Sequence, residues 1–311
     1  MNNTDHALGL GIDAGGTRTR WALAGADGGI VAEGSVAGLS ALQMASETGR
    51  AAIQATFAAL AQAALACGQP RRVCAGLTGF GGDSTLPVQW LAALLGLAPD
   101  HITVSNDVEI AYLDSFTPGA GYLVYAGTGS IAAYIDPQGA FHRAGGRGVG
   151  LDDGGGGYWI AREALRHIWR REDEAPGAWR GSPMAQAVFD HVGGSDWACS
   201  RQFMYGSERG AIGQLALAVA ASAEQDPAAH AILAQAGQEL ARIAMALVAR
   251  FGVRPVALSG RAAELHPLIE QAMRATLASN VPLHRHAVQP HYAAARLAAR
   301  SMRPTRPDPG E

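Results

Sequence analysis

The chain first becomes regular at Leu8, where LGLGID runs as an apolar strand and stops on Asp13. Ala14-Gly15-Gly16-Thr17 turns it, a second strand passes through Trp21 and Leu23, Asp27-Gly28-Gly29 turns it again, and Ile30-Val31 opens a third strand. Gly38-Leu39-Ser40 reads as a loop. An Ala-rich helix is predicted from about Ser46 to Cys67, with Gly68-Gln69-Pro70 as its stop signal. Val73 to Leu77 is a short apolar strand ending in a glycine loop, Gly79 to Gly82. A helix through Trp90 to Leu95 stops on Gly96. The strand His101 to Val104 delivers Ser105-Asn106-Asp107, and Asp107 opens the helix DVEIAYLDSF, where an acid suits the positive helix end. Strands alternating with helices after an opening meander predict a mixed sheet with helices on its faces.

The pattern then restarts. Gly121 to Gly146 reads as strand, Gly-Thr-Gly-Ser turn, strand, Pro-Gln-Gly turn, strand, with Gly127 standing where Gly15 stands, one domain's length further on. Two such halves facing each other would set two glycine tips across one cleft; chance recurrence of hairpins in a glycine-rich chain is the alternative. GGRGVGLDDGGGGYWI, from Gly145 to Ile160, is too polar and flexible for a strand and runs into a helix from Tyr158 to Arg171. A glycine loop entering a helix N-terminus is a ready site for an anion or hydroxyl, or else a flexible linker or lid. Residues 172–181 form a charged loop, and Ser182 to Gly252 reads as all-helical. Its best-marked helix has Asp226 as N-cap, Pro227 in the first turn and Gly252 as stop. Arg254 to Leu258 is a buried-type strand leading to Ser259-Gly260-Arg261, then a helix from Ala263 to Ala278, a short segment from Val281 to His286, and a last helix from His291 to Arg300. His284 and His286 alternate as on an exposed strand. The tail SMRPTRPDPGE reads as disordered.

Composition narrows the classes. With 48% hydrophobic and 16% charged residues over 311 positions, a disordered chain is excluded and two cores are affordable. Net charge is −3 and no basic run appears in the folded part, so nucleic acid is a poor partner. Three cysteines, Cys67, Cys74 and Cys199, are too few for a disulfide framework. The polar start MNNTDHA carries no signal peptide and no apolar stretch is long enough to span a bilayer, so a cytoplasmic protein is expected.

Candidate chemistry gathers at the glycine turns. Glycines without Cβ let backbone N–H groups approach an anion, and an acid beside such a turn, here Asp13, suits a hydrated Mg²⁺. Taken alone, a tight glycine hairpin without ligand explains Leu8 to Glu33 equally well. Asp107 caps the helix it opens whether or not it does chemistry, and Arg18 fits equally as a solvated strand residue.

Taken together, GIDAGGTRTRWAL, NDVEIAY, YAGTGSIA and GGRGVGLDDGGGGYWIAREAL resemble the sugar kinase/actin/heat-shock-protein ATPase superfamily. They look most like the BadF/BadG/BcrA/BcrD-type ATPase family in its N-acetylglucosamine kinase branch, over about Leu8 to Arg300. The resemblance implies an α/β fold of two ribonuclease-H-like domains (the actin-like ATPase fold) with ATP and sugar in the cleft between them. It places residues 1–117 plus 287–311 in the first domain. The second would hold residues 118–286, with a helical insertion at about 172–225. It implies transfer of the ATP γ-phosphoryl group to the 6-hydroxyl of an amino sugar, with Asp107 as general base and Asp13 holding Mg²⁺ through water. Gly15, Gly16, Thr17 and Arg18 would line the first phosphate loop, and Gly127, Thr128, Gly129 and Ser130 the second. Gly260 and Arg261 would border the adenosine. Ser40, Asn106, Gly146, Arg147 and Asp153 would contact the sugar, with Asp152 facing solvent. A homodimer is expected, with no nucleic-acid or membrane partner.

The chain departs from that family twice. Where relatives carry S-x-N it has Ser40-Ala41-Leu42, and where many have G-D-E-G-S-G it has Asp152-Asp153-Gly154-Gly155-Gly156-Gly157. An expected hydroxyl contact and some loop rigidity are lost, which bears on substrate choice. N-acetylglucosamine is therefore the first substrate expected, with glucosamine or another hexose as alternatives. An activator ATPase with a bridging iron–sulfur cluster would need thiolates beside the glycine turns, and none of the three cysteines is so placed. A sugar-sensing regulator would call for a DNA-binding extension, for which the arm before Leu8 is too short.

Overall fold

The computed structural model describes residues 7–287 and 289–300. The start MNNTDH and the proline-rich tail from Ser301 lie outside the described residues. The chain divides into two compact units, one of residues up to Asp114 plus the last helix, the other of Ser115–Ala287.

In the first unit, β1 (Leu8–Ala14), β2 (Arg18–Ala24), β3 (Ile30–Ala37), β4 (Pro70–Leu77) and β5 (Ile102–Asn106) form one sheet in the order β3-β2-β1-β4-β5. The β1-β2-β3 part is antiparallel, while β4 and β5 join parallel. Crossovers between the parallel strands run through α1 (Glu47–Leu65) and α2 (Thr85–Leu95), and α3 (Asp107–Ser115) follows β5 directly. Alternation along β1 explains the layering. Leu10, Ile12 and Ala14 point into a core with Ile53, Phe57 and Leu60 of α1 and Leu91 of α2. The opposite face is lined with small residues.

In the second unit, β6 (Tyr122–Ala126), β7 (Ser130–Ile135), β8 (Phe141–Gly145), β9 (Val256–Ser259) and β10 (Leu283–Arg285) repeat that topology in the order β8-β7-β6-β9-β10. Again a β6-β7-β8 meander is antiparallel and two strands join parallel. The recurrence in the sequence is therefore a duplicated sheet and not two chance hairpins. Between β8 and β9 lie α4 (Gly157–Glu174), α5 (Pro183–Val192), α6 (Trp197–Gly206), α7 (Arg209–Gln214), α8 (Ala216–Ala221) and α9 (Pro227–Phe251); α10 (Pro267–Thr276) links β9 to β10. The last helix, α11 (Pro290–Arg300), returns to the first unit. It packs on the small-residue face of β1, where a Cβ on Gly11 would come within 2.1 Å of backbone atoms of His291 and Ala295. Only glycine admits a helix that close.

Several expectations are corrected. The helix expected from Ala263 begins at Pro267: proline takes the first turn, the His266 ring accepts the Leu268 N–H at 3.3 Å, and residues 261–264 are turns. The charged loop at 172–181 is shorter than expected. The preceding helix runs on to Glu174, and the Glu172 carboxylate accepts the N–H groups of Gly177 and Trp179, setting up a 3-10 turn over Ala178–Gly181. The segment after Ser40 is not plain loop either, because Ala41–Ala45 is a 3-10 turn held by a Ser40/Gln43 capping box. Finally, α9 has the length and composition to cross a bilayer, contrary to the sequence estimate. Its Ile232, Leu233, Leu240, Ile243 and Leu247 are buried in the core instead.

Candidate active site

In the first unit, register brings the chemistry together. Asp13 lies level with Gly76 of β4, and Leu77 lies level with Asn106 of β5. The C-terminal ends of the three parallel strands thus present Asp13, Thr78, Asn106 and Asp107 at one edge of the sheet. Such an edge is where open α/β sheets carry their ligands. Asn106 and Asp107 both turn a carbonyl-type oxygen to the Val108 N–H, each at 2.9 Å, so Asn106 shares the capping of α3. Thr78 follows Leu77 at this edge, and its N–H donates to the Ala14 carbonyl at 2.9 Å.

Burial leaves both carboxylates short of solvation. Asp13 is pushed up to about 6, first by burial and then by the Asp107 carboxylate, with Arg20 pulling the other way. Burial raises Asp107 as well, against the hydrogen bonds from Thr78 and Val108. Arg20 stands directly opposite Asp13 in the β1–β2 pairing. Two carboxylates whose charge is only partly offset are a fitting partner for a hydrated Mg²⁺, which takes one or two carboxylates and fills its shell with water and phosphate oxygens. Among the described residues no cluster of three or more His, Cys, Asp or Glu is placed to make an all-protein cage.

The glycine turn beside Asp13 is closed by the Gly15 N–H donating to the Arg18 carbonyl at 3.1 Å. The N–H groups of Gly16 and Thr17 have no partner among the described residues, and Gly16, Thr17 and Arg18 are exposed. Consecutive free N–H groups at an open tip are what an anion nest requires. Ser40 packs close by: the Leu39 N–H donates to the Gly15 carbonyl (3.1 Å), the Ala41 N–H to the Thr78 carbonyl (2.9 Å), and the Ser40 hydroxyl to that same carbonyl (3.4 Å).

The second unit builds a matching turn. The Gly127 N–H donates to the Gly129 carbonyl at 2.8 Å, and the N–H groups of Thr128 and Gly129 have no partner among the described residues. Gly260 adopts φ +98° beside it, and the Ala262 N–H donates to the Ala126 carbonyl at 2.9 Å, which leaves Arg261 exposed at the same strand ends. The glycine run is no flexible linker. Residues 153–157 are buried, the Ser130 hydroxyl donates to the Gly154 carbonyl at 2.7 Å, and a Cβ on Gly156 would lie 2.6 Å from Gly129. The glycines that replace the family's acid and serine are thus packed against the turn, and rigidity is kept by contact. Nor is the α4 N-terminus an open anion site, because the N–H groups of Gly157 and Tyr158 are spent on the Gly127 and Thr128 carbonyls (2.8 and 3.0 Å).

The two acids of this loop part ways. Asp153, 7% exposed, holds φ +55°, and its carboxylate accepts the Gly148 N–H at 3.0 Å while lying against Gly129. Burial raises it, opposed by the N–H groups of Gly148 and Arg147; the neighbouring Asp152 raises it too, and Arg209 of α7 lowers it. Asp152 does not simply face water: Arg242 of α9 grips it through both oxygens at 3.1 and 3.0 Å. Gly146 donates its N–H to the Ser130 carbonyl at 3.0 Å, and Arg147 is exposed beside it.

Sequence reasoning missed Thr78, Arg20 and Arg209. Arg20 had a signal, since a period-two strand opposite Asp13 puts some residue of RTRW across from it. Thr78 and Arg209 had none, because their placement depends on register and on tertiary packing. The cysteines sit away from thiolate chemistry: Cys67 is exposed just past α1, and burial, followed by Glu109, pushes the Cys74 thiol up to about 12. His284 is exposed, its ring edge-on to Phe116.

The model of the BadF/BadG/BcrA/BcrD ATPase family matches residues 10–298. A curated relative, the N-acetyl-D-glucosamine kinase of Dictyostelium discoideum, is 34% identical over 106 residues, which spans 33% of this chain and 33% of that protein. A solved structure from Chromobacterium violaceum, provisionally described as an N-acetylglucosamine kinase, superposes with TM-score 0.70 at 26% identity, covering 94% of this chain and 99% of that one. A similarly described Porphyromonas gingivalis structure gives TM-score 0.74 at 17% identity over 94% and 99% of the two chains, a likeness of fold.

Proposed function

The chain belongs to the BadF/BadG/BcrA/BcrD ATPase family, and from that membership we propose that it is an ATP-dependent sugar kinase that phosphorylates N-acetyl-D-glucosamine at its 6-hydroxyl. The observation that carries this reading is the pairing of Asp13 and Asp107 at the ends of the parallel strands, beside a glycine turn with two N–H groups that have no partner among the described residues.

In this reading Asp107 is the general base. Its carboxylate takes the proton of the sugar 6-hydroxyl as that oxygen bonds to the γ-phosphorus, and the bond to the ADP oxygen breaks. Gly16, Thr17 and Arg18 receive phosphate oxygens on the first turn, which the Gly15 N–H closes; Thr128 and Gly129 do so on the second, which the Gly127 N–H closes and the Ser130 hydroxyl ties to Gly154. Gly260 and Arg261 border the adenosine. Asp13 fits the role of a water-mediated Mg²⁺ holder, and the cation when bound would neutralise phosphate charge. The Asn106 amide oxygen is used on Val108, and its N–H₂, which has no partner among the described residues, is turned to the sugar in this reading. Ser40, Gly146 and Arg147 contribute further sugar contacts, and Asp153 reaches the sugar only through the oxygen not given to Gly148. Positioning and charge neutralisation supply most of the rate, because phosphoryl transfer asks for little covalent chemistry from the protein.

The Dictyostelium relative's substrate favours N-acetylglucosamine over glucosamine, and the exposed Leu42 beside Ser40 offers apolar surface to an acetyl methyl. Purified protein with Mg-ATP and a panel of N-acetylglucosamine, glucosamine, glucose and N-acetylmannosamine tests it. ADP release greatest with N-acetylglucosamine is expected; no sugar-dependent release with any of the four refutes the kinase reading.

A further inference from the structure

By backbone alone, position 153 suits glycine. The chain turns there at φ +55°, in the left-handed region that residues other than Gly, Asn, Asp and His seldom enter, and four glycines follow directly. An acid stands there instead, 7% exposed. Such a conformation persists where its surroundings hold it, and each polar part of Asp153 is engaged. Its carbonyl accepts the Gly156 N–H at 3.1 Å, and carboxylate oxygen Oδ1 accepts the Gly148 N–H at 3.0 Å. The other oxygen lies against the second glycine turn. A Cβ built on Gly129 would meet Asp153 Oδ2 at 2.2 Å, Cγ at 3.0 Å and Cβ at 3.4 Å before any other residue outside the turn.

Elsewhere the turn is held through backbone. The Gly127 N–H closes it on the Gly129 carbonyl at 2.8 Å, and the Tyr158 N–H donates to the Thr128 carbonyl at 3.0 Å. These bonds fix its carbonyls. The Gly129 N–H, which has no partner among the described residues, takes its direction from a peptide plane beside a Cα that glycine leaves free to rotate. The Asp153 carboxylate fills the space a side chain on Gly129 would occupy, and so limits that rotation. Charge is not what helps here. A carboxylate beside a phosphate repels it, so what Asp153 gives an anion-binding turn is shape and hydrogen bonding.

Building on the kinase reading above, we propose that Asp153 is the positioning residue of the second phosphate turn: tied to Gly148 and Gly156 in a left-handed conformation, its carboxylate braces Gly129 and aims the Gly129 N–H at ATP. The effect reaches ATP through the turn and exists before any sugar binds, so it is separate from the contact the same carboxylate makes with the sugar.

Calorimetric titration with Mg-ATP and no sugar compares wild type, Asp153→Gly and Asp153→Asn. Glycine suits the backbone and removes the brace. Asparagine keeps the size, an oxygen for the Gly148 N–H and a tolerance of positive φ, while shedding the charge. Asp153→Gly should raise the Kd for Mg-ATP by about 10- to 100-fold, the cost of one misdirected charge-assisted hydrogen bond. Asp153→Asn should bind within about threefold of wild type, or more tightly. Unchanged ATP affinity in Asp153→Gly overturns the proposal, as does an Asp153→Asn affinity as weak as that of Asp153→Gly. Should the glycine variant not fold, Asp153→Ala loses the same carboxylate and takes its place. A crystal structure of the variant gives a second reading. The peptide between Thr128 and Gly129 should be rotated or present in two orientations, and a turn unmoved from wild type overturns the proposal. Should wild type bind Mg-ATP and yet release no ADP with any sugar, the kinase reading falls while the titration still decides the role of Asp153; a wild type that binds no Mg-ATP overturns both.

Discussion

Gly16→Ala separates what the fold needs from what a ligand needs. A Cβ at Gly16 would meet nothing within 4 Å, and Gly16 is not among the left-handed glycines, so alanine fits the native backbone. At such a position Gly→Ala stabilises by about 0.4–1 kcal/mol, through lost freedom of the unfolded chain. For a chain of this size that raises Tm by roughly 1–4 °C. A phosphate seated on the Gly16 and Thr17 N–H groups would be affected in the opposite sense. Donor and oxygen want about 2.9 Å, while a methyl carbon demands about 3.5 Å from the same oxygen. Losing one charge-assisted hydrogen bond costs about 1.5–3 kcal/mol, so ATP should bind about 10- to 150-fold more weakly. Calorimetric titration with Mg-ATP and thermal unfolding of the free protein give both numbers. Unchanged or raised Tm with weakened ATP binding is expected. Unchanged ATP affinity would refute the phosphate role of this turn, and a fallen Tm would refute the claim that the tip is open.

Other outcomes follow from the same geometry. Gly76→Ala puts a Cβ 2.9 Å from Ile110 Cγ1 and 3.0 Å from the Asp107 Cα, so it should cost about 1–3 kcal/mol in unfolding experiments and, by shifting the base, lower kcat about 10- to 100-fold; a stability loss with kcat intact would mean that Asp107 is not placed by this contact. Asp226, buried at the N-terminus of α9, accepts from Ala228, Ala229, Met184 and the Ser182 hydroxyl. Asp226→Ala should destabilise by about 3–5 kcal/mol, since it removes a cap and strands buried N–H groups. Burial alone would raise the Asp226 carboxyl, but those hydrogen bonds outweigh it and hold the carboxyl below its usual value. Its stabilising contribution is therefore complete above about pH 4 and is lost as pH falls further. Urea midpoints measured down the acid range should fall less steeply in Asp226→Asn than in wild type, and equal slopes would contradict this.

Much of the architecture was legible because its determinants are local. Glycine turns between apolar runs announced both meanders, and Asp226-Pro227 with Gly252 announced α9 to within a residue. The start of α10 was legible too, in Pro267, but the apolar run from Ala263 outweighed it. What escaped depends on distance along the chain. Arg242 meets Asp152 across 90 positions, and Leu77 comes level with Asn106 only because β4 and β5 pair in one particular parallel register. The burial of Gly154 to Gly157 ran against composition: four glycines in a row suggest freedom, yet here they let a loop backbone lie flat against the Thr128–Gly129 turn. The candidate site was therefore visible as residue types at strand ends, while its internal hydrogen bonds were not.

The central claim is that Asp107 takes the proton from the phosphorylated hydroxyl. Asp107→Asn keeps the size of the side chain and an oxygen for the Val108 N–H, while removing the basic lone pair. Steady-state ADP release with Mg-ATP and N-acetylglucosamine, alongside thermal unfolding, is the direct measurement. A kcat lowered by about 10²- to 10⁴-fold with Tm preserved is predicted; a folded Asp107→Asn enzyme that turns over at the wild-type rate would contradict the account.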